Sequence, residues 1–223
     1  TLRQVEVRIA RDDKNLAIRV NLFVPNKASR PVPAFLLICN RGPENIDATR
    51  QAKSEFWPAE EGIPRGYAMA AFLNADVDPD RHDGFQNGIH GILDVEPRGA
   101  DAWGTIAAWA WGASRVLDYL ETLPQINPQQ VAVIGHSRGG KTALWAGAED
   151  QGLRAAATPP SISISSTIRG TASAVSPSMR ERRIKACSRT SISNASGSTE
   201  RELCRSRSCA ASAKHPDPLT ARS

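Results

Sequence analysis

One block limits the possible folds of this chain more than any other. It reads Val131-Ala132-Val133-Ile134-Gly135-His136-Ser137-Arg138-Gly139-Gly140-Lys141-Thr142-Ala143-Leu144-Trp145. A β-branched run enters a Gly-x-Ser-x-Gly pentapeptide and leaves it directly into helix formers. A serine on a sharp strand-to-helix turn sits in strained backbone geometry, and side chains at the flanking positions would collide with the strand or the helix. Such a turn lifts the Ser137 hydroxyl above the sheet edge, and the helix beneath presents free N–H groups and a positive dipole end. The alternative is a glycine-rich turn with an incidental serine. The strand before it and the helix after it favour the first reading, so Ser137 reads as a nucleophile.

The chain changes character near Gln151. Every aromatic residue lies before it: Trp57, Trp103, Trp109, Trp111, Trp145, Phe23, Phe35, Phe56, Phe72, Phe85, Tyr67 and Tyr119. Serine runs the other way, with four in residues 1–151 and sixteen in the remaining 72. Charge divides too: residues 1–151 hold 16 Lys+Arg against 19 Asp+Glu, and residues 152–223 hold 12 against 4. The net +5 is therefore a property of the second part. These features predict a globular part over residues 1–151 and a basic Ser/Arg-rich tail over 152–223. That tail has too little apolar surface to offset its ordering entropy. Out-of-frame reading of a GC-rich gene from about residue 152 would give such a mixture. No run of 18 apolar residues exists, so no membrane-spanning helix is expected. Cys39, Cys187, Cys204 and Cys209 match no zinc spacing, and one cysteine in the globular part argues against a disulfide framework.

Hydrophobic periods order the globular part. Val5, Val7 and Ile9 alternate with polar residues, as do Leu16, Ile18, Val20, Leu22 and Val24 after the Asp12–Asn15 turn, which predicts an antiparallel hairpin. Ala34–Cys39 and Tyr67–Leu73 are continuously apolar, as strands covered on both faces are. An irregular helical segment around Trp57–Glu61 is limited by Pro64. Asp101 can N-cap a long helix carrying Trp103, Ile106, Ala110, Ala113, Leu117 and Leu120 at spacings of three and four, closed by Pro124 and Pro128. Antiparallel entry strands followed by strand–helix alternation predict an α/β fold, a three-layer sandwich around a mostly parallel sheet.

Three separated blocks carry a family resemblance. Gly135–Ala148, the segment Trp103-Gly104-Thr105-Ile106-Ala107-Ala108-Trp109-Ala110-Trp111-Gly112, and Cys39-Asn40-Arg41-Gly42-Pro43-Glu44-Asn45 resemble bacterial glucuronoyl esterase-like and acetylxylan esterase-like α/β-hydrolases in order and spacing. The resemblance covers about residues 15–150 and stops near Gln151. It implies an α/β-hydrolase-type sandwich whose C-terminal half is missing here. It also implies a serine carboxylic-ester hydrolase acting on glucuronoyl or acetyl esters of xylan-type polysaccharide. By resemblance Ser137 is the nucleophile, Arg138 helps hold the oxyanion and Lys141 contacts the sugar. As an alternative, Arg138 and Lys141 are solvated charges, although a helix N-terminus disfavours cations. Asn40, Arg41 and Gly42 follow the central strand where such folds place a second oxyanion donor. A plain loop is the competing reading there.

The remaining triad members should follow Ser137 in the order acid, then histidine. The region where the family places its acid reads Ala157-Thr158-Pro159-Pro160-Ser161-Ile162, with no carboxylate. The only downstream histidine is His215, beside no recognisable strand. No acid or base is assigned, and the chain as it stands is expected to be inactive and poorly folded. No cofactor or metal is called for. The expected partner is a carbohydrate ester, with no nucleic acid and no membrane, and the oligomeric state is open. The sequence begins at Thr1 rather than Met, so the absence of a signal peptide from it carries no weight, and a periplasmic or secreted setting follows from the resemblance alone. The competing class is a non-catalytic protein whose basic tail binds polyanions, a reading that rests on net charge. A serine hydrolase of another substrate class is a third, since the fold hosts many chemistries.

Overall fold

The computed structural model describes residues 1–157, 189–194 and 199–203. In chain order the elements are β1 (Leu2–Arg11), β2 (Lys14–Phe23), β3 (Val32–Cys39), a short turn of helix at Pro43–Ile46, α1 (Ala59–Gly62) and β4 (Ala68–Leu73). A second helical turn at Asn74–Asp76 follows, then α2 (His90–Leu93), α3 (Thr105–Glu121), β5 (Ile126–Gly135), α4 (Arg138–Glu149) and β6 (Leu153–Ala157). Two further strands are β7 (Arg189–Asn194) and β8 (Thr199–Leu203).

One sheet holds the eight described strands in the order β6-β5-β3-β4-β2-β1-β7-β8. Its β6-β5-β3-β4 half is parallel, and the β2-β1-β7-β8 half joins it antiparallel through β2 and β4. The β1–β2 hairpin has continuous register from Leu2 opposite Phe23 to Arg11 opposite Lys14. Asp12 makes the turn at φ 55°, a left-handed conformation that aspartate tolerates better than most residues.

The apolar runs read as doubly covered strands are covered on both faces. Leu36, Ile38, Ala70, Phe72, Val131 and Val133 point into one core with Trp109, Ala113, Leu117 and Leu120 of α3 and Ala143 and Ala146 of α4. The alternate residues Leu37, Cys39, Met69 and Ala71 point the other way, onto Ile46, Trp57 and Ala59. The period of two in a strand thus divides a uniformly apolar sequence between two cores. This is the three-layer α/β-hydrolase-type arrangement expected from the sequence.

Four details differ from the sequence expectation. Helix α3 begins at Thr105 with Gly104 at its cap, one turn after Asp101. Trp103 is therefore in the loop, where its indole Nε1 donates to Asp94. Pro128 lies inside β5 rather than between elements, at a register shift where Val32 pairs with Ile126 but Ala34 pairs with Val131. The extra residues there need no ladder bond, which is where a strand accepts proline.

The remaining two differences concern the region after residue 151. β6 pairs in parallel with β5 and lies within the segment expected to be an unstructured tail. β7 pairs with β1, and β8 with β7. Backbone groups alone make such ladders, so a composition poor in aromatics does not reveal them. His215 and the Pro159-Pro160 pair lie outside the described residues.

Leu36 is fully buried in the central strand β3. Leu36→Ala should lower the unfolding free energy by about 2–5 kcal/mol, seen as a lower denaturant midpoint at unchanged slope.

Candidate active site

Strand β5 ends at Gly135 and α4 begins at Arg138, leaving two residues for the reversal. Ser137 adopts φ 53°, ψ −114°, outside every region a serine occupies freely. Such a conformation costs roughly 1–3 kcal/mol and persists only where its surroundings impose it. Here two glycines impose it. A Cβ on Gly135 would stand 2.2 Å from the carbonyl oxygen of Gly139. One on Gly139 would stand 2.8 Å from the carbonyl oxygen of Ile38 at the end of β3. Strand and helix therefore touch backbone to backbone, and the turn between them cannot relax. Ser137 projects exposed, while its carbonyl accepts the first helical bond from the Lys141 N–H at 3.1 Å.

The loops after β3 and β4 frame this turn. Asn40 follows β3 and lies against Gly139, its Oδ1 3.2 Å from where a Cβ there would stand. Arg41 lays its guanidinium over the Phe56 ring at 4.1 Å and approaches His136 Nδ1 at 3.5 Å. Phe56 in turn meets the His136 ring edge-on at 5.1 Å. His136 is thus engaged by Arg41 and Phe56 beside Ser137. Gly42 opens the Pro43–Ile46 turn in extended backbone.

Arg138 extends towards the loop after β4, where its Nη1 donates to Asp80 Oδ1 at 2.7 Å. The pair is open to solvent, with the Arg138 side chain 55% and Asp80 28% exposed. An exposed pair of this kind adds roughly 0–1 kcal/mol to stability, so its consequence is geometric. Among the described residues no carboxylate pairs with Lys141, which stands exposed one turn along α4. The three residues predicted from sequence therefore lie together at one end of α4, with Arg138 tethered and Lys141 available. Among the described residues no histidine or carboxylate is hydrogen-bonded to the Ser137 hydroxyl.

The segment that carries Asp80 also carries a buried polar cluster that sequence reasoning passed over. His90, whose side chain is fully buried, places Nδ1 3.0 Å from Asp94 Oδ2 and Nε2 3.7 Å from Asp78 Oδ2. Arg98 pairs with Asp94 and lies over Phe85 at 4.0 Å. The rings of Phe85 and Trp103 each meet the His90 ring edge-on at 4.9 Å. Burial holds the His90 pKa below its ordinary value, with Arg98 acting in the same direction and Asp78 opposing. Burial pushes the Asp78 carboxyl up, against the Thr105 hydrogen bond and the attraction of His90. The available signal was the density of Asp and His in Asp76–His90, directly after a fully buried strand. In α/β sheets that is where ligand-facing loops gather.

The model of the family described as glucuronyl esterase, fungi, matches residues 7–196, beyond the point near Gln151 where the resemblance was expected to stop. A carbohydrate esterase from an unknown prokaryotic organism is 32% identical over 178 residues, covering 66% of this chain and 41% of the relative. The 4-O-methyl-glucuronoyl methylesterase 1 of Phanerochaete chrysosporium is 43% identical over 101 residues, covering 41% of this chain and 21% of the relative. Among solved structures, a glucuronoyl esterase from Solibacter usitatus superposes with TM-score 0.55 at 30% identity, covering 61% of this chain and 41% of that one. A glucuronoyl esterase of carbohydrate esterase family 15 from Teredinibacter turnerae gives TM-score 0.55 at 30% identity, covering 66% and 38%. The chain thus spans about two fifths of the length of the first of these relatives.

Two outcomes test the site as built. Gly135→Ala should cost about 1–3 kcal/mol, because the new methyl meets backbone that cannot swing aside, while Ser137→Ala should leave the melting temperature nearly unchanged. Thermal unfolding of both variants distinguishes them. NMR titration should find the His90 ring less than half protonated at pH 6.5. The sign follows from its lowered pKa: between the unfolded value near 6.5 and the folded one, the unfolded chain binds more protons. His90's own contribution to stability is therefore full above pH 6.5 and declines as the pH falls.

Proposed function

This chain belongs to the glucuronyl esterase family, and from that premise we propose that it is a serine carboxylic-ester hydrolase acting on glucuronoyl esters of plant cell-wall polysaccharide. The observation that carries the reading is the backbone of Ser137, held at φ 53°, ψ −114° by glycines that admit no side chain. A strained, exposed serine at the mouth of a twelve-residue helix has no packing role to justify its cost. Its use is chemical.

In this reading the Ser137 hydroxyl oxygen attacks the ester carbonyl, forming a C–O bond while the carbonyl π pair moves onto oxygen. The Arg138 guanidinium and the unpaired N–H groups at the start of α4 face that developing charge, an arrangement that needs no reorganisation during reaction. The tetrahedral intermediate then expels the alcohol, and water releases the acid from the acyl-serine. The group that takes the serine proton comes from outside the described residues, in keeping with the order nucleophile, acid, histidine for this fold. Lys141, exposed on the next turn, supplies a hydrogen-bond donor for the sugar hydroxyls. The names of the relatives favour the glucuronoyl over the acetyl ester.

Hydrolysis of a methyl 4-O-methylglucuronate ester and of acetylated xylan, measured side by side, tests the proposal. In a chain completed by the acid and histidine that should follow Ser137, the first should be cleaved and the second should not, while the chain as it stands is expected to cleave neither. Ser137→Ala should reduce the rate more than a hundredfold, and Arg138→Ala should lower kcat by roughly 10²–10³. Residual activity above about a hundredth in Ser137→Ala would remove the serine from the mechanism. A change confined to KM in Arg138→Ala would make that residue a ground-state contact only.

A further inference from the structure

Resting on the reading above, we propose that Asp80 is a positioning residue for the site: it holds the Arg138 guanidinium in the orientation that faces the oxyanion. The Arg138 side chain is constrained at both ends. Its backbone follows directly on Ser137, whose dihedral angles the Gly135–Gly139 contact imposes. Its tip is bound through Nη1 to Asp80 Oδ1 at 2.7 Å. A guanidinium is planar and carries five donors in a fixed fork, so one bond at Nη1 sets the direction of the others. Among the described residues Asp80 is the sole hydrogen-bond partner of the Arg138 side chain, and the rest of the fork stays available to a substrate. Without that tether a long, exposed arginine beside a helix N-terminus samples many rotamers, and the helix dipole repels it.

Asp80 works as a tether only if it is itself fixed, and the residues before it are. The Asp78 carbonyl accepts from the buried Trp109 indole of α3 at 2.8 Å. The Asp78 N–H donates to the Asn74 carbonyl at 3.1 Å, and Ile89 N–H donates to the Val77 carbonyl at 2.8 Å. Gly88 lets the two backbones close up, since a Cβ there would come within 2.7 Å of Asp78 Cα. The Asp78 side chain faces the buried His90 ring. Pro79 then fixes φ between the anchored Asp78 and Asp80. A rigid strut thus runs from the core helix α3 to the arginine beside the nucleophile.

The test uses the full chain and has two independent readouts. NMR of the Arg138 side chain should show hindered rotation of its guanidinium in the wild type, free rotation in Asp80→Asn, and hindrance restored in Asp80→Glu. In ester hydrolysis, Asp80→Asn should lower kcat by roughly 10- to 100-fold with KM nearly unchanged, Asp80→Glu should recover part of it, and Asp80→Asn should cost nothing further in an Arg138→Ala background. A merely structural role would not give that rescue and that non-additivity. Equal rotation in wild type and Asp80→Asn overturns the proposal. So does an undiminished loss in the Arg138→Ala background, or a faster Asp80→Asn enzyme, which would mean that Asp80 holds the arginine away. Where the wild type shows no ester hydrolysis, as expected of a chain without an assigned acid and histidine, the rotation measurement alone decides whether Asp80 orients Arg138.

Discussion

The contact between the end of β5 and the first turn of α4 is the constraint on which the rest depends. Gly135 and Gly139 meet with no room for a methyl group, a Cβ on the first falling 2.2 Å from the second. Everything of chemical interest follows from that approach. It forces Ser137 into its costly conformation, aims the free end of α4 at the hydroxyl, and sends Arg138 out towards the neighbouring loop. The cost is carried by the two cores on either face of the sheet, where Leu36 and Ile38 anchor one side and Leu37 and Cys39 the other. A strained turn needs a stiff support, and a strand buried on both faces is a stiff one.

Topology explains why the neighbours of Ser137 are what they are. β3, β4 and β5 run parallel, so the loops that follow them open at the same edge of the sheet. Asn40 and Arg41 arrive from β3, Asp80 from β4, and Ser137 itself from β5. Residues nearly a hundred positions apart meet there because parallel strands place their C-terminal ends side by side. The hairpin β1–β2 braces the segments that follow β3 and β4, with Arg19 paired to Asp76 and the Asn21 amide donating to the Ile46 carbonyl. It also extends the core through Val5, Val7, Ile9, Ile18, Val20 and Leu22.

Much of this was legible in the sequence, for identifiable reasons. Alternation in Val5–Ile9 and Leu16–Val24 revealed the hairpin, and unbroken apolar runs revealed β3 and β4, because burial on one or two faces writes itself into side-chain type. Ser137 was legible because its geometry demands glycines at fixed offsets. The start of α3 was not, since Asp101 is a good cap in the abstract and only the position of Trp103 against His90 and Asp94 decides between the two starts. β6 was missed because a short strand of small residues leaves no compositional mark. The Arg138–Asp80 pair and the cluster around His90 join residues from separate loops, and no local period records such meetings. The proposed function rests on motif and resemblance, and the order of the three matching blocks narrowed a generous fold to glucuronoyl esterase-like and acetylxylan esterase-like hydrolases.

The central claim is that Ser137 is an activated nucleophile rather than a serine caught in a tight turn. Treating the chain with a fluorophosphonate and mapping the adduct by peptide mass spectrometry tests it most directly. The account predicts phosphonylation at Ser137 alone among the serines, abolished in Ser137→Ala and slowed in Arg138→Ala. An unmodified Ser137, or equal labelling of serines elsewhere in a folded chain, would contradict it.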